Sequence, residues 1–148
     1  MSVFNPNRDQ VREFFFTVWR KHQHQSVLEP LEELALRIIL MHPEYHETLS
    51  KPEQYGQQEY FPEQGETNPF LHLSLHLSLL EQISINQPVG IAQIYQQLLQ
   101  RYQDEMQAQH NMMECLVETI WHAQRYQQGL DSEAYLQRLK NLLDVRAG

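Results

Sequence analysis

Apolar residues recur at helical spacing along most of this chain, and no stretch alternates between apolar and polar residues as a strand would. Residues 7–22 begin the pattern, with Asn5 or Asn7 as a possible cap. Further helices are predicted from about residues 30, 68, 91, 104 and 131. The patterns predict an all-α fold, a single-domain bundle of five or six helices over residues 1–148.

Residues 68–85, NPFLHLSLHLSLLEQISI, form the most apolar stretch of the sequence. Thr67 or Asn68 can cap this helix, and Pro69 suits its first turn. On a helical wheel, His72 and His76 lie well inside a wide apolar arc. The remaining sector holds Leu71, Ser74, Ser78, Glu81 and Gln82. We expect this helix to be central in the bundle and to bury both imidazoles.

Two other segments carry polar pairs at the same i, i+4 spacing, which places both side chains within reach of one ion. His42 and His46 flank Pro43, which can break the helix between them, so this pair is the weakest. His110 and Glu114 lie beside a predicted core face made of Met106, Met113, Val117, Ile120 and Trp121. Imidazole and carboxylate are ligands that suit zinc, iron or manganese.

Buried histidines also have a purely structural interpretation. A neutral imidazole is satisfied by a tyrosine hydroxyl, a carboxylate or a backbone carbonyl, and this chain has seven tyrosines and many glutamates. Burying such a group without any partner would cost roughly 2–7 kcal/mol, so a partner is required under either interpretation. The other candidates are expected to have no functional role. His22, His24 and His122 are expected at the surface, and Cys115 as a small buried hydrophobe.

Residues 51–67, KPEQYGQQEYFPEQGET, show no helical period and contain four glutamates. A loop of this length inside a compact domain is uncommon, and it is either mobile or functional. We expect a long acidic loop, with a lid over a functional site as the alternative.

Charge and composition exclude several classes of protein. The net charge is −8 and the 11 basic residues are scattered, which argues against nucleic acid or an anionic membrane as a partner. The single cysteine excludes an internal disulfide and a four-cysteine zinc cage. The first residues lack the features of a signal peptide, and no apolar run is long enough to span a membrane, so we expect a cytoplasmic protein.

Four segments together carry a resemblance to a known family: FNPNRDQVREFFFTVWRKH, HPEYH, TNPFLHLSLHLSLLEQISINQPVGI and QHNMMECLVETIW. They resemble an uncharacterised, mostly proteobacterial family, domain of unknown function 1841. The resemblance implies a bacterial cytoplasmic protein but no activity. Separately, HxxxH and HxxxE on two helices are similar to the ligand spacing of hemerythrin-like bundles, although in reversed order and without HxxxxD. The histidine pattern is also similar to that of DinB-like metal-binding bundles, with different gaps.

Two functions follow as hypotheses. In the first, a transition metal is bound by His72, His76, His110 and Glu114, completed by His42 or His46. Glu118 is then a general base or supports the ligands, and the chemistry is hydrolytic or redox. In the second, the histidines form a structural hydrogen-bond network in a non-catalytic interaction or adaptor protein. The partner, a protein or a small molecule, is unknown, and a homodimer is one option.

Overall fold

The computed structural model describes residues 7–144, and these residues form helices and turns with no strand. Eight α-helices are present among them: α1 (Arg8–Gln23), α2 (Pro30–Met41), α3 (His46–Ser50), α4 (Pro52–Tyr55), α5 (Pro69–Ile85), α6 (Ile91–Tyr102), α7 (Glu105–Arg125) and α8 (Ser132–Asp144). Short 3-10 helices occupy Pro43–Tyr45 and Pro62–Gln64. The predicted all-α class is confirmed.

The helix count exceeds the predicted five or six because two helices are very short. α3 has five residues and α4 has four, whereas each of the other six has at least twelve. Prolines explain the fragmentation: Pro43 and Pro52 each begin a new helical turn, since proline tolerates the first turn but interrupts a continuing helix.

Caps fix the starts of the long helices. The Asn7 side chain accepts a hydrogen bond from the Asp9 amide and completes a capping box with Gln10, while Asn5 lies outside the described residues. Asn68 accepts from the amides of Phe70 and Leu71 at 3.0 and 3.2 Å, as expected for the cap of α5.

Contacts divide the chain into two compact units, one ending at Leu77 and the other beginning at Ser78. The boundary falls inside α5. The prediction of one helical domain over residues 1–148, and of a single bundle, stays a prediction.

In the first unit, α1 packs against α2 and α3. Its core is formed by apolar side chains from these helices that are less than a tenth exposed, namely Phe15, Phe16, Val18, Trp19, Ala35, Ile38, Ile39 and Leu49. The Trp19 indole donates to the Ser50 hydroxyl at 2.9 Å, so this ring keeps a polar partner at the core edge.

In the second unit, α6, α7 and α8 pack against one another. The predicted core face of α7 is wrong in part, because Val117 is 44% exposed and Trp121 is 50% exposed. The buried face instead carries Ala108, Gln109, Met112, Met113, Cys115, Leu116 and Thr119. Two polar residues on this face find partners: Gln109 donates to the Tyr95 hydroxyl, and Thr119 donates to the Cys115 carbonyl.

The polar sector predicted for α5 is also wrong in part. Ser74 and Ser78 are 6% and 4% exposed, while Leu71 is 55% exposed. Ser74 is satisfied locally, because its hydroxyl donates to the Phe70 carbonyl one turn earlier at 2.7 Å. α5 is therefore buried on nearly all sides, as its apolar sequence favours.

Residues 51–67 contain α4 and a 3-10 turn, so they are more ordered than a structureless loop. Two arginines of α1 hold this segment. Arg12 donates to the carbonyls of Tyr55 and Gly56 at 3.1 and 3.3 Å, and Arg8 donates to the Gln57 carbonyl. Its function as a lid stays a prediction.

None of the helices formed by residues 7–144 combines the length and the apolar character that crossing a membrane requires.

Candidate metal centre

α5 supplies two imidazoles of the candidate site, His72 and His76, one helical turn apart. His76 is fully buried, and His72 is half-buried. Their ring centroids are 6.0 Å apart and the ring planes cross at 76°. The predicted pairing of these side chains on one face of the helix is thus present.

His42 supplies a third imidazole from the end of α2. It precedes Pro43, and its φ of −126° and ψ of 67° take the chain out of the helix. Its ring folds back so that Nδ1 lies 2.8 Å from the Ile38 carbonyl. Since a carbonyl only accepts, we infer that Nδ1 carries the proton and that Nε2 presents its lone pair.

Nε2 of His42 faces α5. Nε2 of His42 lies 3.0 Å from Nε2 of His72, and the rings of His42 and His76 approach edge to face at 5.3 Å. Because His42 is the acceptor, a hydrogen bond between these nitrogens requires the proton on Nε2 of His72.

The 3.0 Å distance also fits two ligands of one ion. Nitrogen ligands lie about 2.0–2.1 Å from zinc, which puts them about 3.3 Å apart at a tetrahedral angle and about 2.9 Å apart at a right angle. The pair is therefore at metal-ligand distance, nearer to the right-angled arrangement.

Four histidines are close enough together to hold a metal ion. One nitrogen from each of His42, His72, His76 and His110 lies within 4.8 Å of the corresponding nitrogen of every other. His42 and His76 are buried, whereas His72 and His110 are half-buried. Within residues 7–144, no carboxylate and no thiolate belongs to this group. We call these four residues the histidine group.

His46, the partner predicted for His42, is not in this group. Its Nε2 lies 2.8 Å from the Ile39 carbonyl, and its ring stacks on Trp19 with centroids 4.3 Å apart. His42 and His46 thus bind consecutive carbonyls at the end of α2, yet only His42 presents a nitrogen to the group. The expected break at Pro43 separates them.

Glu114 and Glu118 are also outside the group. Both are exposed. The expectation that Glu114 lies beside the core face of α7 is wrong, because the buried side of this helix carries Ala108, Met112 and Leu116 instead. Glu118 lies 3.7 Å from the Arg138 guanidinium and about 12 Å along the helix axis from His110. The predicted base role of Glu118 and the ligand role of Glu114 stay predictions to which this placement adds no support.

Sequence reasoning missed Tyr45, which covers one side of the group. Its ring stacks on that of His42 with an interplanar angle of 2° and centroids 5.3 Å apart, and it meets the His72 ring at 5.9 Å. Burial raises the pKa of its phenol, and the nearby Glu44 carboxylate adds to this. The signal for this residue is its position in HPEYH, between two histidines that the spacing already marks as candidate ligands.

Most of the chain matches one protein family. A family model described as a domain of unknown function, DUF1841, matches residues 7–141. The chain belongs to this family. The match spans all four members of the histidine group, and it confirms the resemblance on which the sequence segments agreed.

No curated protein and no solved structure matches the chain. The likeness of its histidine spacing to hemerythrin-like and DinB-like bundles therefore stays a prediction. Membership of DUF1841 brings no activity, so the function has to be argued from the histidine group itself.

Proposed function

We propose that this protein binds a transition-metal ion through His42, His72, His76 and His110. The observation that supports the proposal is the convergence of one nitrogen from each of these residues within 4.8 Å. Fully or partly buried imidazoles without a metal require hydrogen-bond partners, and assembling four of them in one place serves no packing purpose that apolar residues would not serve better.

The chemistry of imidazole favours an ion at this point. A proton is shared by two nitrogens at most, whereas a metal ion accepts lone pairs from several ligands at once. His42 already has the orientation of a ligand, since its Nδ1 is held by the Ile38 carbonyl and its Nε2 is directed to the group. Such a second hydrogen bond is what normally orients a metal-binding histidine.

The donor set narrows the choice of metal. Imidazole suits zinc, copper, iron, cobalt and nickel, while manganese and magnesium prefer carboxylate and water oxygens. Among the zinc, iron or manganese expected from the sequence, the absence of a carboxylate from the group favours zinc and iron. Hydrolytic or redox chemistry, a small-molecule substrate and a cytoplasmic location remain parts of the proposal that rest on the sequence alone.

Two matched pairs of variants test the proposal. His42→Ala and His46→Ala each remove an imidazole bound to a carbonyl of α2, but only the first belongs to the group. His110→Ala and Glu114→Ala form a second pair on α7, one turn apart. The protein is produced without a His-tag, dialysed against zinc or iron(II), and its metal content is determined by elemental analysis.

We expect about one equivalent of metal in the wild type, His46→Ala and Glu114→Ala, and a large loss in His42→Ala and His110→Ala. Less than about a tenth of an equivalent in the wild type would refute metal binding. Equal retention by all four variants would assign the metal to other residues, such as the exposed His22 and His24.

One observation favours a second function, in which the histidines are structural. The 3.0 Å approach of His42 to His72 is also a good hydrogen bond, with His42 as acceptor. The protein would then be an adaptor whose acidic surface meets a basic protein partner. In that case His72→Ala lowers stability by roughly 1–3 kcal/mol while partner capture from lysate and metal content are unchanged.

A further inference from the structure

We infer that the metal centre takes an anion as an additional ligand, so that its substrate or inhibitor is a small anion such as hydroxide, azide or a carboxylate. This inference rests on the proposed function. Three features of the histidine group support it: the charge of its donors, the angle that they allow and their exposure.

The first feature is charge. Histidine binds a metal ion as neutral imidazole, and among residues 7–144 neither a carboxylate nor a thiolate joins the four histidines in the group. A bound divalent ion would therefore keep its full double charge in a partly buried place, where two unit charges 4 Å apart interact by about 4 kcal/mol at an effective dielectric constant near 20. An anion from solution is the ligand that relieves this charge. Zinc held by three histidines behaves in this way, since its fourth ligand ionises to hydroxide near pH 7.

The second feature is geometry. A separation of 3.0 Å between Nε2 of His42 and Nε2 of His72 corresponds to an angle of about 94° at an ion with bonds of about 2.05 Å. Ligands at right angles belong to five- or six-coordinate centres, in which four imidazoles leave at least one position unfilled, or to square-planar centres, which are open above and below the plane. A tetrahedral cage of four histidines would have no such position.

The third feature is exposure. His42 and His76 are buried, but His72 and His110 are each half-buried, so the group reaches solvent at two of its members. The whole-chain charge of −8 does not oppose the approach of a small anion strongly, because exposed charges are screened beyond about 8 Å at physiological salt. The local charge of the ion then decides the affinity.

Cobalt(II) is the probe, because its visible absorption reports coordination number. The wild-type protein is loaded with cobalt(II) and titrated with sodium azide at constant ionic strength. Formamide, a neutral molecule of similar size, is titrated in parallel, and His22→Ala/His24→Ala excludes a contribution from exposed histidines. We expect a saturable change in absorption with azide and none with formamide.

One variant tests the role of charge. His110→Glu replaces a neutral imidazole by a carboxylate, which can also hold the ion and which neutralises one unit of its charge. At saturating cobalt(II), we expect azide affinity to fall at least about tenfold relative to the wild type.

Failure of the two proposals can be told apart. If the protein takes up no cobalt(II), the metal centre and its anion are both refuted. If cobalt(II) is bound with dependence on His42 but azide leaves the spectrum unchanged, or if formamide acts equally, the centre stands and the anion is refuted. Equal azide affinity in His110→Glu and the wild type would refute the charge argument.

Discussion

The three imidazoles of the first unit and the polar pairs of the second unit differ in the kind of partner that each buried polar group has. In the second unit, unlike groups meet: the Tyr135 hydroxyl donates to the Gln82 side chain at 2.7 Å, and the Gln109 amide donates to the Tyr95 hydroxyl at 2.8 Å. In the first unit, like groups meet, since His42, His72 and His76 face one another through imidazole rings.

This difference separates a structural network from a candidate site. A donor paired with an acceptor is complete and needs nothing further. Two imidazoles that meet through the same nitrogen, as His42 and His72 do through Nε2, must take opposite tautomers to bond to each other, and each proton serves one pair only. Clustered imidazoles therefore stabilise a fold less well than donor–acceptor pairs do. They are suited to binding a metal ion, which accepts several lone pairs. The comparison predicts that zinc binding depends on the histidine group and not on the donor–acceptor pairs of the second unit.

The largest expected effect is the response of stability to zinc. At a free zinc concentration 100 times the dissociation constant, the free energy of unfolding should rise by about 2.7 kcal/mol in the wild type. The same increment should appear in Tyr135→Phe and should vanish in His76→Gln, because His76 belongs to the histidine group and Tyr135 does not. Urea unfolding with and without zinc gives the increments, and a zinc response in His76→Gln equal to that of the wild type would erase the distinction between the regions.

An Arg12 variant tests whether a pairing of donor with acceptor also stabilises the first unit. Arg12 is 2% exposed, and its guanidinium donates to two carbonyls and lies 4.7 Å from the Phe70 ring centroid. Burial lowers the pKa of this group, and the nearby charge of Arg8 adds to this effect. Arg12→Met should reduce the free energy of unfolding by about 2 kcal/mol, because it leaves the carbonyls of Tyr55 and Gly56 without this donor.

Arg8→Met is the matched control for Arg12, since Arg8 is exposed and donates to the neighbouring Gln57 carbonyl at 3.2 Å. We expect Arg8→Met to reduce the free energy of unfolding by less than about 0.5 kcal/mol. Hydrogen exchange should show faster exchange in residues 52–58 of the Arg12 variant. Equal costs for the two arginines would mean that burial of the donor does not set the strength of this contact.

The sequence predicted the helices well because apolar periodicity reports which side of a helix is buried. It failed on α7, where the buried face includes Gln109 and Thr119 while Val117 and Trp121 are exposed. The partners that make burial tolerable are the Tyr95 hydroxyl and the Arg138 guanidinium, which lie 14 and 19 residues away in the chain. A pattern read along one helix contains no information about such partners.

The candidate site was predicted in part for the same reason. Helical spacing placed His72 and His76 together, and Pro43 correctly marked the weak point between His42 and His46. Which of those two imidazoles joins α5 depends on how the chain turns at Pro43, where His42 binds the Ile38 carbonyl and His46 binds the Ile39 carbonyl. Glu114 is exposed and lies outside the histidine group, and a group made of imidazoles alone was not predicted.

Tyr135→Phe measures what one complete pair of the second unit contributes. The side chain is fully buried, and burial raises the pKa of its phenol, so the hydroxyl stays protonated and donates to Gln82. Loss of this bond should lower the free energy of unfolding by about 1 kcal/mol without zinc and with it. Tyr126→Phe is the control, because Tyr126 is 61% exposed, and a cost there as large as for Tyr135 would contradict the assignment.

The smallest expected effect concerns Glu32, a buried carboxylate of the first unit with unlike partners. It accepts from the Glu29 amide at 2.8 Å and from the Lys21 ammonium at 2.8 Å, and these contacts, the amide first, hold its pKa below the usual 4.5. A lowered pKa contributes stability above the unfolded value, and this contribution is lost as the pH falls through the folded value. Glu32→Gln should therefore cost about 0.5–1 kcal/mol at pH 7, and the difference from wild type should shrink below about pH 4.5. Glu33→Gln, at the exposed neighbouring position, should show neither the cost nor its pH dependence. A constant Glu32→Gln difference from pH 7 down to pH 3 would mean that the lost side-chain packing, not the charged acceptor, sets the effect, and that unlike pairing in this unit does not depend on charge.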